Sequence, residues 1–92
     1  MSEISKLYEN VGFEVELGYP PFTAEKQLLL IQWLAETRPI HITLLLGKWT
    51  IEGMIRYGIK YDTFEDALSG YVNQIWKDLK PEEKQQVKGI LE

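Results

Sequence analysis

The first clear pattern of apolar and polar positions is the alternation in residues 12–18, GFEVELG. Its apolar side chains alternate with two glutamates, and a period of two residues is typical of a half-buried β-strand. Pro20 and Pro21 follow, and we expect the strand to end before them because proline cannot donate to a sheet ladder. We expect the first ten residues, 1–10, to be loosely ordered.

A helix is predicted from Thr23 to Glu36. The Thr23 hydroxyl can accept from a free backbone N–H at the start of the helix, and Glu25 suits the positive end of the helix dipole. Apolar residues cover much of the circumference of this segment, which is typical of a helix in the centre of a core. Pro39 ends the helix, because a proline restricts the preceding residue to extended backbone.

Residues 40–59 decide the fold class, because two interpretations are open. In the first, Gly47 and Lys48 form a type II′ turn between two strands, which sorts nearly every side chain by polarity onto one face or the other. The cross-strand pairs predicted on the apolar face are Leu46 with Trp49, Leu44 with Ile51 and Ile42 with Gly53. In the second, residues 42–57 form one buried helix, although its apolar residues scatter around the axis and each glycine costs about 1 kcal/mol relative to alanine. We favour the hairpin.

Two further helices are predicted near the end of the chain. Apolar residues from Phe64 to Leu79 follow helical spacing, with Asp62 or Thr63 as the N-cap. Pro81 suits the first position of a short terminal helix that has one apolar face.

Together these elements predict an α+β fold with the order β-α-β-β-α-α. A small, mostly antiparallel sheet, made of one strand and the hairpin, is expected to pack against two or three helices. The alternative is an all-α fold, if residues 42–57 are helical. No repeat or linker divides the sequence, and we expect one compact domain over residues 1–92.

Composition narrows the possible chemistry. The 92 residues carry a formal net charge of −4, one histidine and no cysteine, which removes disulfides, thiolate catalysis and cysteine-ligated metals. The longest strongly apolar run is residues 28–31, far short of the roughly 20 residues that span a bilayer, so we expect no membrane segment. The first ten residues lack the apolar stretch of a secretory signal, so we expect a cytoplasmic protein.

The single histidine is the first candidate for chemistry. As a catalytic base, His41 would need a hydroxyl nucleophile and an orienting carboxylate, and Thr43 and Glu52 are the only candidates on its face of the hairpin. The spacing does not demand this arrangement, and we interpret His41 as a polar surface residue. Glu14, Glu16 and Glu52 could gather three carboxylates, but the loop signature of a hard-cation site is missing. We therefore predict no enzymatic activity, no metal and no cofactor.

The charges are segregated along the chain: residues 37–61 carry four bases against one acid, and the flanking segments are acidic. This polarity suits an acidic protein partner or the reciprocal docking of two copies. We predict a small cytoplasmic protein-interaction or regulatory module without catalytic activity that self-associates as a homo-oligomer. The predicted contact residues are aromatic or arginine, the types enriched among binding hot spots: Tyr19, Phe22, Trp49, Arg56 and Tyr57.

Two other hypotheses stay open. Trp49, Tyr57 and Tyr61 interleave with the basic residues, and such a surface binds single-stranded nucleic acid by stacking and phosphate contacts. The acidic overall balance argues against nucleic acid as a partner. A pocket between the sheet and the helices would instead bind a small molecule.

Overall fold

The computed structural model describes residues 3–13, 18–53 and 59–92. The elements in chain order are α1 (Glu3–Asn10), α2 (Ala24–Thr37), β1 (His41–Leu45), β2 (Lys48–Glu52), α3 (Phe64–Ile75), a 3₁₀ turn (Trp76–Asp78) and α4 (Pro81–Leu91). Over the described residues this makes four helices and one two-stranded antiparallel sheet. The α+β class is therefore confirmed.

The start of the chain is a packed helix, so the expectation of loose order over residues 1–10 is wrong for α1. Leu7 and Tyr8 are 0% and 1% exposed, and α1 lies against α3. Its apolar residues follow the i, i+3, i+4 spacing of an amphipathic helix, which buries one face. The predicted order β-α-β-β-α-α lacks this helix. Most of the strand predicted over residues 12–18 falls on residues 14–17, which lie outside the described part of the chain.

The second helix begins as predicted, because the Thr23 Oγ1 accepts from the Lys26 backbone N–H at 3.2 Å. It ends at Thr37, and the next residue is extended as expected before a proline. The expected central position is wrong, since α2 buries only one side. Leu28 and Leu29 on the other side are 58% and 43% exposed.

The predicted hairpin is confirmed, and a helix over residues 42–57 is wrong because β1 and β2 form an antiparallel pair. The turn residues are Leu46 and Gly47, with φ of 53° and 76°, so the turn is of type I′ and not the predicted II′. The observed pairs are His41 with Glu52, Ile42 with Ile51, Thr43 with Thr50, Leu44 with Trp49 and Leu45 with Lys48. Each β1 residue pairs two positions earlier on β2 than predicted. A shift of two keeps every side chain on its predicted face.

The third helix is the centre of the core and contacts α1, α2 and β2. Thr63 is its N-cap, and the Thr63 Oγ1 accepts from the Asp66 backbone N–H at 3.1 Å. Residues 67–72 are all buried. The helix ends at Ile75 and passes into the 3₁₀ turn, earlier than the predicted Leu79.

The terminal helix α4 begins at Pro81 as predicted and packs on α2. Val87 and Leu91 are fully buried. The Trp33 Nε1–H donates to the Gln86 side-chain oxygen at 2.6 Å, and Arg38 pairs with Glu83 at 2.6 Å. These contacts attach α4 to α2 and to the residue that follows it.

Candidate interaction surface

The inner strand of the hairpin, β2, is paired on both sides. The Trp49 N–H donates to the Tyr61 carbonyl at 2.7 Å, and the Tyr61 N–H donates to the Trp49 carbonyl at 2.9 Å. In an antiparallel ladder, successive residues direct their backbone groups to opposite sides. The backbone N–H and C=O of Trp49 therefore face away from β1. Those of its neighbours Lys48 and Thr50 face β1.

The same alternation assigns the backbone groups of β1. His41, Thr43 and Leu45 pair with residues of β2 that bond towards β1, so their N–H and C=O groups face β2. The N–H and C=O groups of Ile42 and Leu44 then face the outer edge. Across residues 3–13, 18–53 and 59–92, no strand pairs with that edge. Within this described part of the chain, β1 is therefore an edge strand whose outward backbone donors and acceptors have no strand partner.

The side chains of this edge are apolar and exposed. Ile42 and Leu44 share a sheet face with Ile51, which is only 6% exposed because β2 packs on α3. Ile42 is 37% exposed and Leu44 is 53% exposed, so the apolar face continues beyond the part that the core covers. The next two residues, Leu45 and Leu46, are 62% and 93% exposed.

The strand also lacks the features that usually protect a sheet edge. Its sequence is HITLL, with no lysine, glutamate, proline or bulge. Native proteins commonly place charges, prolines or bulges on edge strands, because a flat apolar edge is a template for another strand. We call the outer side of β1, with the side chains of Ile42, Leu44, Leu45 and Leu46, the β1 edge.

The opposite face of the hairpin is mostly polar. A shallow depression of about 190 Å³ there is lined by Thr43, Leu45, Lys48, Thr50, Glu52 and Lys60. This volume lies below the range of about 300–1,000 Å³ that is typical of small-molecule sites. The Lys48 ammonium pairs with the Asp62 carboxylate. The depression therefore offers a small molecule little enclosure.

His41 lies at the far end of the hairpin from the turn, where it is exposed and pairs across the strands with Glu52. Glu14 and Glu16, the other carboxylates of the hypothetical cation site, lie outside the described residues. Among the residues that the structure describes, no three His, Asp or Glu side chains are grouped to hold a metal ion.

The predicted contact residues have mixed placements. The Tyr19 ring stacks on Tyr8 with the ring centroids 5.0 Å apart, and the Tyr19 hydroxyl donates to Glu9 at 3.4 Å. Phe22 is half-buried against the core.

Trp49 is also half-buried, and its ring meets the Phe64 ring edge-on at 5.0 Å. Arg56 and Tyr57 lie outside the described residues. The three described aromatics each present part of their surface to the core, and the structure does not gather them on the β1 edge.

The β1 edge was missed by the sequence reasoning, although one signal was present. Leu44, Leu45 and Leu46 are consecutive, and consecutive residues of a strand point to opposite faces. At least one leucine must then face away from a one-sided core.

Tyr61, which forms the backbone bridge to Trp49 of β2, also has a partly buried side chain. Burial raises the pKa of its phenol, the Glu3 carboxylate adds to the rise, and the hydrogen bond from Gln74 partly opposes it. The neutral phenol is therefore the form present near neutral pH.

In the described part of the chain, no helix combines the length and apolar character needed to cross a bilayer. No family model, curated protein or solved structure matches this chain.

Proposed function

We propose that this chain is a small non-catalytic protein-interaction module that binds a protein strand along the β1 edge. One observation carries the proposal: an uncharged edge strand has outward backbone N–H and C=O groups at Ile42 and Leu44, beside four exposed apolar side chains. In β-augmentation, main-chain hydrogen bonds to such an edge supply affinity, and alternate side chains supply specificity. The proposal places the protein in the cytoplasm, as expected from the sequence.

The exposed surface of the hairpin favours a protein over a nucleic acid. Binding of a single strand needs free cations and accessible aromatic faces. Lys48 is paired with Asp62, and Trp49 is half-buried against Phe64. What the hairpin exposes most is leucine and isoleucine, which suits another polypeptide.

The proposal is tested by affinity capture from a lysate of the native host, with three baits compared side by side. The wild-type chain and Leu28→Lys should retain the same protein, and the double variant Ile42→Lys/Leu44→Lys should lose it. Leu28 is the control, because it is an apolar residue on α2 that is more exposed than either Ile42 or Leu44. Retention by all three baits would place the binding surface elsewhere and overturn the proposal.

A further inference from the structure

We infer that the β1 edge pairs with the β1 edge of a second copy of this chain, so that two hairpins form one four-stranded antiparallel sheet. This inference rests on the proposed function, since it names the occupant of the same edge. It goes further by specifying the register, the symmetry and the residues that meet across the axis.

The backbone groups of β1 are self-complementary. Two identical antiparallel strands are related by a two-fold axis, and an axis at Thr43 places Ile42 opposite Leu44 of the partner subunit. These are the β1 residues whose N–H and C=O groups face outward. Each such pair exchanges two N–H···O bonds, so the register forms four bonds and leaves no outward group of Ile42 or Leu44 unpaired.

The side chains agree with this register. Ile42 and Leu44 of both copies lie on one face of the combined sheet and form two apolar cross-strand pairs. On the other face, Thr43 meets Thr43 of the partner subunit.

The charge distribution favours a second copy over an acidic or basic partner strand. The β1 strand contains no Asp, Glu, Lys or Arg. The chain has a net charge of −4, and of its 14 acidic residues none lies on β1. Two copies that meet edge to edge therefore bring no like charges of β1 into contact.

Pairing with a second copy also stabilises the sheet itself. A two-stranded hairpin is marginal in water, and independent stability usually needs three or more strands or packing on a helix. Here β2 packs on α3, but β1 exposes two apolar side chains of the same face, Ile42 and Leu44. Pairing of two β1 strands turns the outer strand of each hairpin into an inner one.

The edge is short, so the dimer is expected to be weak and to depend on concentration. Each copy contributes a strand of 5 residues, which buries much less than the roughly 1,600 Å² of a standard interface. The dimer accordingly belongs to the weak, transient class, and its test has to trap it or cover a range of concentrations.

Disulfide trapping tests the axis directly, because the chain has no cysteine of its own. The register brings the two Thr43 Cα atoms to about 4.5 Å, within the separation of roughly 4.4–6.8 Å that a disulfide spans. Thr43→Cys should form a covalent dimer under mild oxidation. Thr50→Cys is the matched control, since Thr50 lies on the same face and is also half-buried. In the dimer the two Thr50 positions are three strand spacings apart, about 14 Å, and should not crosslink.

Charge variants test the register in the full chain by sedimentation equilibrium. Ile42→Lys/Leu44→Lys places like charges directly opposite each other and should weaken the dimer by about tenfold or more. Ile42→Lys/Leu44→Glu places opposite charges across the same pairs and should dimerise better than the double-lysine variant. Leu28→Lys should behave as wild type. Circular dichroism of each variant checks that the fold is retained.

The outcomes separate this inference from the proposed function. A wild-type chain that stays monomeric at every concentration, with no crosslink at Thr43→Cys, overturns the homodimer. Equal crosslinking of Thr43→Cys and Thr50→Cys overturns the register. If a monomeric chain still captures a different protein that the double-lysine variant loses, the inference fails and the proposed function stands. If neither association depends on the β1 edge, both fail.

Discussion

The hydroxyl end of the Tyr61 side chain occupies the space in which a side chain at Gly70 would begin. Gly70 lies in the buried middle of α3, and Tyr61 exchanges two backbone hydrogen bonds with Trp49 of β2. A helix residue without a side chain thus makes room for the bridge that gives β2 a neighbour on its inner side. This contact helps to determine which strand of the hairpin is left at the edge.

Gly70→Ala should lower the free energy of unfolding, although alanine is the better helix former by about 1 kcal/mol. The new methyl group would collide with Tyr61, and overpacking of this kind costs about 1–3 kcal/mol. Urea denaturation measures the difference. Gly89→Ala in α4 is the control, because among the described residues no atom beyond its chain neighbours and its own helix backbone lies within 4 Å of the added Cβ. It should stabilise the chain by up to about 1 kcal/mol. A similar gain for Gly70→Ala would contradict the close contact.

Ser69 is predicted to be a site where removal of a polar group stabilises the fold. It is fully buried, and its hydroxyl has no hydrogen-bond partner within the described part of the chain. Ser69→Ala should raise the free energy of unfolding by about 1 kcal/mol, because a buried unsatisfied hydroxyl is removed. The reverse change two residues away, Ala67→Ser, should destabilise by about 1–3 kcal/mol. Loss of stability in Ser69→Ala would show that the hydroxyl does have a partner.

The helix α1 is expected to be part of the cooperative core. Leu7 is 0% exposed, so Leu7→Ala should cost about 2–5 kcal/mol in the free energy of unfolding. Lys6 is exposed on the same helix, and Lys6→Ala should change stability by less than about 0.5 kcal/mol. Thermal and urea unfolding of the two variants provide the comparison. Indistinguishable variants would mean that the start of the chain contributes nothing, as expected from the sequence alone.

Glu83 ties the start of α4 to the end of α2. One carboxylate oxygen accepts from the Lys80 backbone N–H at 3.1 Å, and the other accepts from Arg38 at 2.6 Å. Glu83→Ala removes a helix cap and a partly exposed ion pair, and should cost about 1–2 kcal/mol. Glu82→Ala, at the neighbouring exposed position, should cost no more than about 0.5 kcal/mol. Equal losses measured in urea would argue that only the helix dipole matters here.

Stability should fall at alkaline pH because of buried tyrosines. Burial raises the pKa of the Tyr71 phenol above its ordinary value of 10.0, although Arg38 partly opposes the rise. Above pH 10 the unfolded chain therefore loses this proton first, so stability present below that pH is lost as the pH rises. Tyr71→Phe should make the loss between neutral pH and the region above pH 10 smaller, as measured by urea denaturation. An unchanged loss would assign it to other groups.

The hairpin shows which features a local sequence pattern predicts and which it leaves open. The alternation of residues 40–52 sorts side chains correctly onto two faces, because a strand has a period of two. The register has the same period, so a shift of two positions leaves that pattern intact. Only the backbone of Leu46, with its φ of 53°, decides between the two turns, and leucine seldom adopts this conformation.

The residues of the β1 edge were harder to predict from the sequence than the hairpin. The sequence predicts aromatic contact residues because aromatic side chains are enriched at interfaces, but the same side chains also fill cores. Trp49 and Phe22 are half-buried against the core. Whether an apolar strand residue is covered depends on which strand packs on α3, and no local pattern contains that information.

The sequence by itself determined the features that arise from neighbours along the chain. These include the N-caps at Thr23 and Thr63, the helix start at Pro81 and the alternation that makes a hairpin, because they depend on hydrogen bonds and side-chain periods within a few residues. Only the tertiary structure decided that α1 joins the core and that the Tyr61 bridge occupies the inner side of β2. That choice leaves β1 at the edge, because burial is set by contacts between segments far apart in sequence, and these contacts decide which apolar face is covered.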